Sequence, residues 1–273
     1  MKPSFPSQEG IFTGENVIIE LEKARKLKAR LKAGEVCLGA QIAFSDPAVA
    51  EILGRAGFDW LVVDTEHSAN TTVTVRAMLQ AAASTNAVLL ARPLRLDPDE
   101  IRRFLDLGSP GVLCPFINTG QEAQKLVEAC RYPPAGIRGY GPRRASVYGF
   151  DADEYFRDAN DALLCIPIIE TQRSVENIEE IVGVEGIDGV CIGPMDLSIS
   201  LGAFKQFEHP GYLEAYEKVR HACHKHRKAM GTACYSLDHA RRCSARGDQL
   251  LLIGGDDHYL SAEARRWVTA LRS

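Results

Sequence analysis

The chain has 273 residues, 45% of them hydrophobic and 25% charged, with a formal net charge of −4. This composition supports the core of one substantial domain and lacks the basic excess that nucleic-acid binding uses. No stretch is apolar for long enough to span a bilayer, and the eight cysteines (Cys37, Cys114, Cys130, Cys165, Cys191, Cys223, Cys234 and Cys243) are scattered without a CxxC pair, which reads as packing thiols in a reducing cytoplasm rather than a disulfide or metal framework.

Residues 1–20 are polar and carry Pro3 and Pro6, with no apolar core of a signal peptide. Together with the basic helical stretch from Leu21 to Lys32 they form a leader and helix over residues 1–33. Short β-rich runs then alternate with amphipathic ones. Strands are expected near residues 36–42, 60–64, 87–92, 111–114, 163–169, 189–193, 229–233 and 249–254. Helical patterns are expected at 47–56, 72–83, 99–107, 121–130, 174–182, 210–226, 237–246 and 262–271. Eight such units predict an α/β fold, a (β/α)8 TIM barrel, as a single domain over 1–273. A doubly wound sheet is the alternative, but no GxGxxG loop follows the first strand.

Two segments exceed the usual connection. Residues 131–161 contain Tyr132-Pro133-Pro134, Gly136, Gly139 and Gly141, and Arg138, Arg143 and Arg144, and are expected as a long loop over the active-site face. Those arginines would meet an acidic substrate group or form a solvated or subunit-contact loop. Residues 196–210 form the second.

Polar residues collect where strands end. Asp64 closes the second strand with Glu66 and His67 after it, Arg92 ends the third, Glu170 follows the fifth and Asp196 lies past the sixth. The carboxyl ends of barrel strands build active sites. Glu170 and Asp196 suit a hard divalent cation that keeps several waters, Mg²⁺ or Mn²⁺, with Co²⁺ a further candidate; Asp196 could instead cap the helix after it. His67 is a candidate general base or acid, oriented by Asp64. Arg92 would meet an anion or a developing oxyanion, or make an ion pair across the barrel top. Gly193-Pro194 lets backbone approach a ligand, and the N–H groups of Met195 and Asp196 could receive a carboxylate. His221, His224, His226 and His239 are assigned no chemistry.

The runs Phe58 to His67, Arg131 to Gly139, Ile169-Glu170-Thr171 and Ile192 to Ser198 resemble, in one register from about Gly34 onward, the metal-dependent class II pyruvate aldolases. That group includes the 4-hydroxy-2-oxoheptanedioate and 2-dehydro-3-deoxyglucarate aldolases, within the citrate lyase β-subunit superfamily. The resemblance implies that Glu170 and Asp196 ligate the metal and that Arg92 contacts the 2-oxo oxygen. It also implies that Gly193, Pro194, Met195 and Asp196 hold the pyruvate carboxylate, that His67 with Asp64 moves a proton, and that Glu66 supports metal-bound water. It further implies a homo-oligomer, a hexamer made as a trimer of dimers, with the last helix exchanged between subunits.

The implied activity is a lyase reaction, retro-aldol cleavage of a 4-hydroxy-2-oxo acid to pyruvate and an aldehyde, and its reverse. No expected strand ends in a lysine suited to a Schiff base. Other enolate chemistry (an oxaloacetate-type decarboxylase or a malyl-CoA-type lyase) and a non-catalytic 2-oxo-acid-binding protein are the alternatives. The chain departs from the family at Ile168, where glutamine is usual, at Thr65, where glycine is usual, and in a shorter Gly139 to Arg144 loop.

Overall fold

The computed structural model describes residues 18–272; the leader before Ile18 lies outside them. Helix α1 (Ile19–Lys32) precedes β1 (Cys37–Ile42), α2 (Pro47–Arg55), β2 (Trp60–Asp64), α3 (Thr72–Ala82), β3 (Val88–Arg92), α4 (Pro98–Asp106), β4 (Gly111–Cys114) and α5 (Gly120–Cys130). A 3₁₀ turn (Val147–Gly149) and α6 (Ala152–Ala162) follow, then β5 (Leu164–Ile169), α7 (Gln172–Glu176), α8 (Ile178–Gly183), β6 (Gly189–Ile192) and α9 (Pro194–Ser200). The chain continues through α10 (Pro210–His226), β7 (Ala229–Cys234), α11 (Leu237–Ala245), β8 (Leu250–Gly255) and α12 (Asp256–Arg272). The eight strands pair in parallel in chain order, and β1 pairs with β8, so the sheet closes. This is the expected (β/α)8 barrel.

A closed barrel needs an inner row and an outer row of side chains on each strand. Trp60, Val62, Val88, Leu90, Leu164, Ile166, Ile168, Leu250 and Leu252 belong to the inner cluster, and Ala24, Leu27 and Leu31 of α1 join it. Helix α1 therefore stoppers the end at which the strands begin. Lys28 of α1 bonds Leu163 O at 2.8 Å and Asp188 Oδ1 at 3.0 Å, just before β5 and β6. Outer rows pack against the helices, as Leu61, Val63, Leu89 and Ala91 do against Val75, Met78, Leu79 and Phe104.

Some expectations change. The helix expected at 174–182 is two helices broken at Asn177, whose side chain leaves the helical pattern to donate to Asn118 O at 2.8 Å. The two long connections hold helices: α6 buries Tyr155, Ala159 and Ala162 at helical spacing, and α9 begins at Pro194. The last helix starts at Asp256, earlier than expected, and Asp256 accepts from the N–H groups of Ala43 and Phe44, both at 2.9 Å.

The segment 131–161 does not lie over the active-site face of its own barrel. It leaves the carboxyl end of α5, which runs antiparallel to the strands, and so begins at the opposite end. There Arg131 donates to Leu163 O at 2.9 Å, Arg138 to Asp106 Oδ1 at 2.8 Å, and Arg144 to Leu107 O at 3.2 Å and Glu20 Oε1 at 3.1 Å. Arg138 is buried and stacks over Tyr132, 4.5 Å from its centroid. These arginines fasten loops where the strands start. No described helix is long and apolar enough to cross a membrane.

Close approach on the inner face depends on glycine. A Cβ at Gly39 would stand 2.2 Å from Cε2 of Trp60, whose indole donates to Cys37 O at 3.2 Å. Gly39→Ala should therefore destabilise the barrel by about 1–3 kcal/mol, read as a lowered midpoint of guanidinium unfolding. An unchanged midpoint would show that the indole moves aside freely.

Candidate active site

Three inner rows end in charge. On β2, Asp64 tops Trp60 and Val62; on β3, Arg92 tops Val88 and Leu90; after β5, Glu170 tops Leu164, Ile166 and Ile168. The two-residue period of a strand brings acid and cation to one rim.

Asp64 and Arg92 are partners in register. The guanidinium forks onto the carboxylate, Nε to Oδ1 at 2.9 Å and Nη2 to Oδ2 at 2.8 Å. Asp64 is 1% exposed and also accepts from Gln41 Nε2 at 2.8 Å and from the N–H groups of Glu66 and His67 at 2.9 and 3.1 Å. A carboxylate so saturated is an anchor for Arg92. The expected Asp64–His67 dyad is therefore corrected. Asp64 points into the barrel and touches His67 only at its main chain, while the imidazole turns out along the rim, 65% exposed. Glu66 is the acid beside it, with Oε2 3.7 Å from His67 Nε2 and 3.3 Å from Arg92 Nε. Thr65 ties the two strands through its N–H and hydroxyl, which donate to Arg92 O at 3.1 and 2.6 Å.

Glu170 caps no helix, since Thr171 accepts the α7 cap bond from Ser174 N–H at 3.0 Å. Its Oε1 accepts from Phe116 N–H at 2.7 Å, and Phe116 takes a φ of 53° to present that group, a conformation side chains rarely adopt. Burial pushes the Glu170 carboxyl up to about 7, with Glu66 and Asp196 adding to the rise against the pull of the Phe116 amide. Glu66 is also pushed up by burial, and Arg92 and His67 oppose this. A Cβ on Gly193 would lie 2.9 Å from Glu170 Oε2 and 3.1 Å from Ile168 Cγ2, so a side chain there would push the Glu170 carboxylate out of place. Gly193 is the N-cap of α9, Pro194 and Met195 open the helix, and Asp196 is its third residue rather than its cap.

Glu170, Asp196 and Glu66 thus converge, and their mutual repulsion is what a cation relieves. The donors are hard oxygens, which fits a Mg²⁺- or Mn²⁺-like ion. Ile168, buried beneath Glu170, offers no donor and deepens its desolvation. Three members of the site lay outside the sequence reading. Gln41 had a weak signal, an amide in an apolar strand. Phe116 had none, because it acts through its backbone. Tyr235 follows β7, and burial first, then Asp196, pushes its phenol up to about 12.

The profile of the HpcH/HpaI aldolase/citrate lyase family matches residues 39–262. The chain is 37% identical over 232 residues to the 5-keto-4-deoxy-D-glucarate aldolase of Shigella dysenteriae, covering 85% of this chain and 90% of that protein. It is 37% identical over 238 residues to the 4-hydroxy-2-oxo-heptane-1,7-dioate aldolase of Escherichia coli, covering 87% and 91%. The crystal structure of an HpcH/HpaI aldolase/citrate lyase family protein from Burkholderia cenocepacia superposes with a TM-score of 0.87 at 30% identity, covering 91% of this chain and 99% of that one.

The raised Glu170 carboxyl gives the metal-stripped protein a pH dependence of known sign. Its ordinary value is 4.5 and its folded value about 7, so between them the folded state holds the extra proton and stability falls as pH rises, by roughly 3 kcal/mol across the window. Denaturant titrations of chelator-treated protein should show that slope in the wild type and a flatter one in Glu170→Gln. An identical slope in both would exclude Glu170 as its source.

Proposed function

Because the chain belongs to the HpcH/HpaI aldolase/citrate lyase family, we propose that it is a metal-dependent aldolase that cleaves a 4-hydroxy-2-oxo acid reversibly to pyruvate and an aldehyde. The observation that carries this reading is the meeting of the Glu170, Asp196 and Glu66 carboxylates with the anchored Arg92 guanidinium on one rim. Glu170 and Asp196 would hold a divalent cation, Mg²⁺, Mn²⁺ or Co²⁺, which when bound supplies Lewis-acid withdrawal of electron density from the 2-oxo group.

The remaining roles belong to the protein. The N–H groups of Met195 and Asp196, in the first turn of α9, receive the substrate carboxylate beside the bare Gly193-Pro194 backbone. Arg92, unable to swing because Asp64 grips two of its nitrogens, faces the charge that grows on the 2-oxo oxygen as the C3–C4 bond breaks. His67, exposed at the rim with Glu66 beside it, takes the proton from the 4-hydroxyl and returns it in the synthetic direction. None of the eight strands ends in lysine, in keeping with a route that needs no Schiff base.

The assembly we propose is a homohexamer, a trimer of dimers that exchange α12. Among α12 side chains only Asp256 is buried, while Leu260, Trp267 and Leu271 are 62%, 61% and 83% exposed, an apolar face that water disfavours and a second copy would cover. Free, buried thiols at all eight cysteines fit a cytoplasmic location.

Pyruvate release from a panel of acidic, polyhydroxy and neutral 4-hydroxy-2-oxo acids should vanish with a chelator and return with Mg²⁺, Mn²⁺ or Co²⁺; full activity without metal would refute the metal role. Arg92→Ala should slow both aldol cleavage and oxaloacetate decarboxylation by about 10²–10³. His67→Ala should slow cleavage by about 10²–10⁴ and largely spare decarboxylation, which removes no hydroxyl proton. Equal loss of both reactions in His67→Ala would withdraw its role as the base. Light scattering should report six chains in the wild type and smaller species for a Trp267→Glu/Leu271→Glu variant; a monomeric wild type would end the proposal for α12.

A further inference from the structure

Away from the carboxylates, the turn from β7 into α11 gathers three soft donors. Cys234 is the last residue of β7, and His239 and Cys243 lie four apart on α11, hence on one face of that helix. Their ligand atoms all lie within 4.8 Å of one another. Sequence spacing alone hid this, because the strand's end and the helix face meet only once the chain folds back.

We propose that Cys234, His239 and Cys243 form a second metal site, for a thiophilic divalent cation such as Zn²⁺, with water completing its coordination. Cys234 and Cys243 are 3% and 1% exposed and pack with the apolar Ala240, Leu251 and Ile253; Tyr216 and Asp248 stand on the polar side of the cluster. His239 Nδ1 is buried there with no hydrogen-bond partner. An orphaned ring nitrogen in such a setting is destabilising, and a cation on its lone pair removes the defect. A disulfide between the two cysteines would leave that nitrogen as unsatisfied as before. Phe207 stacks on the imidazole at 5.6 Å and 9° between planes, which fixes the direction of the ring.

The Cys243 thiol is held below the usual thiol range, first by the Cys234 thiol beside it. Binding expels the thiol protons to solvent and leaves two thiolates and a neutral imidazole around a dication. Sulfur and imidazole select Zn²⁺ over Mg²⁺, whereas the oxygen donors of Glu170 and Asp196 select the reverse. The two sites thus sort their ions by ligand chemistry. The new site also pins the turn carrying Tyr235, which is electrostatically coupled to Asp196, and so would stiffen that side of the aldolase rim.

Co²⁺ is the probe. Reduced, metal-stripped wild type and a Glu170→Gln/Asp196→Asn variant should each bind one equivalent that gives a thiolate-to-cobalt charge-transfer band in the near ultraviolet, which Zn²⁺ then abolishes; the wild type takes a second equivalent, without that band, at Glu170 and Asp196. The band should disappear in Cys234→Ala and Cys243→Ala. His239→Ala should weaken Co²⁺ binding by at least about tenfold. Circular dichroism shows that each variant is folded, and the two single cysteine variants serve as independent checks. Absence of the band from reduced wild type, its survival in both cysteine variants, or a Cys234–Cys243 disulfide in protein alkylated at lysis would overturn the proposal.

Discussion

A carboxylate aimed into a closed barrel has no water to share its charge, and Asp64 meets that constraint by holding Arg92. The fork between them spans adjacent strands at matched register, so it forms only when β2 and β3 pair correctly. Arg92 then draws in Glu66, and Glu66 stands beside His67. Removing one member of a buried pair leaves the other uncompensated, at about 3–5 kcal/mol. The rim therefore inherits its geometry from an ion pair whose acid, Asp64, need not touch substrate. Glu170 and Asp196 have no such partner among the described residues, which is why their site invites a cation from solution.

The two ends of the barrel divide the work. Where the strands begin, α1 supplies apolar cover, and Arg131, Arg138 and Arg144 of the 131–161 segment bond to carbonyls or acids of adjoining loops. Where the strands finish, carboxylates crowd, Phe116 adopts a strained φ and Glu170 keeps a proton beyond the normal carboxylate range. Strain and charge repulsion are concentrated at the end that carries the candidate site.

Much of this was legible because strands and helices have distinct periods. Runs such as Trp60-Leu61-Val62-Val63-Asp64 carry apolar residues on both faces, as a sheet covered by helices must, and a charge at such a run's end marks the rim. Side-chain direction was harder. Sequence spacing placed Asp64 near His67, but whether a residue points inward or outward is set by strand register, and that gave Asp64 to Arg92 instead. The 131–161 segment was recognised as unusual, yet its end of the barrel follows from the direction of α5. The break at Asn177 depends on Asn118, a partner far away in sequence, and Cys234 met His239 and Cys243 only in three dimensions.

The stopper formed by α1 also imposes an order in time. Leu27 and Leu31 leave the ribosome before the eight strands of the barrel, but the wall they press against includes Leu250 and Leu252 of β8, and β1 gains its second neighbour only when β8 arrives. Until β8 is made the sheet cannot close, and any strands already paired would carry two raw edges and an uncovered apolar lining. Long-range closure of this kind is slow and exposes the chain to aggregation. A product that stops short of β8 would thus be an unclosed ribbon for chaperones and proteases to find, with no smaller enzyme inside it.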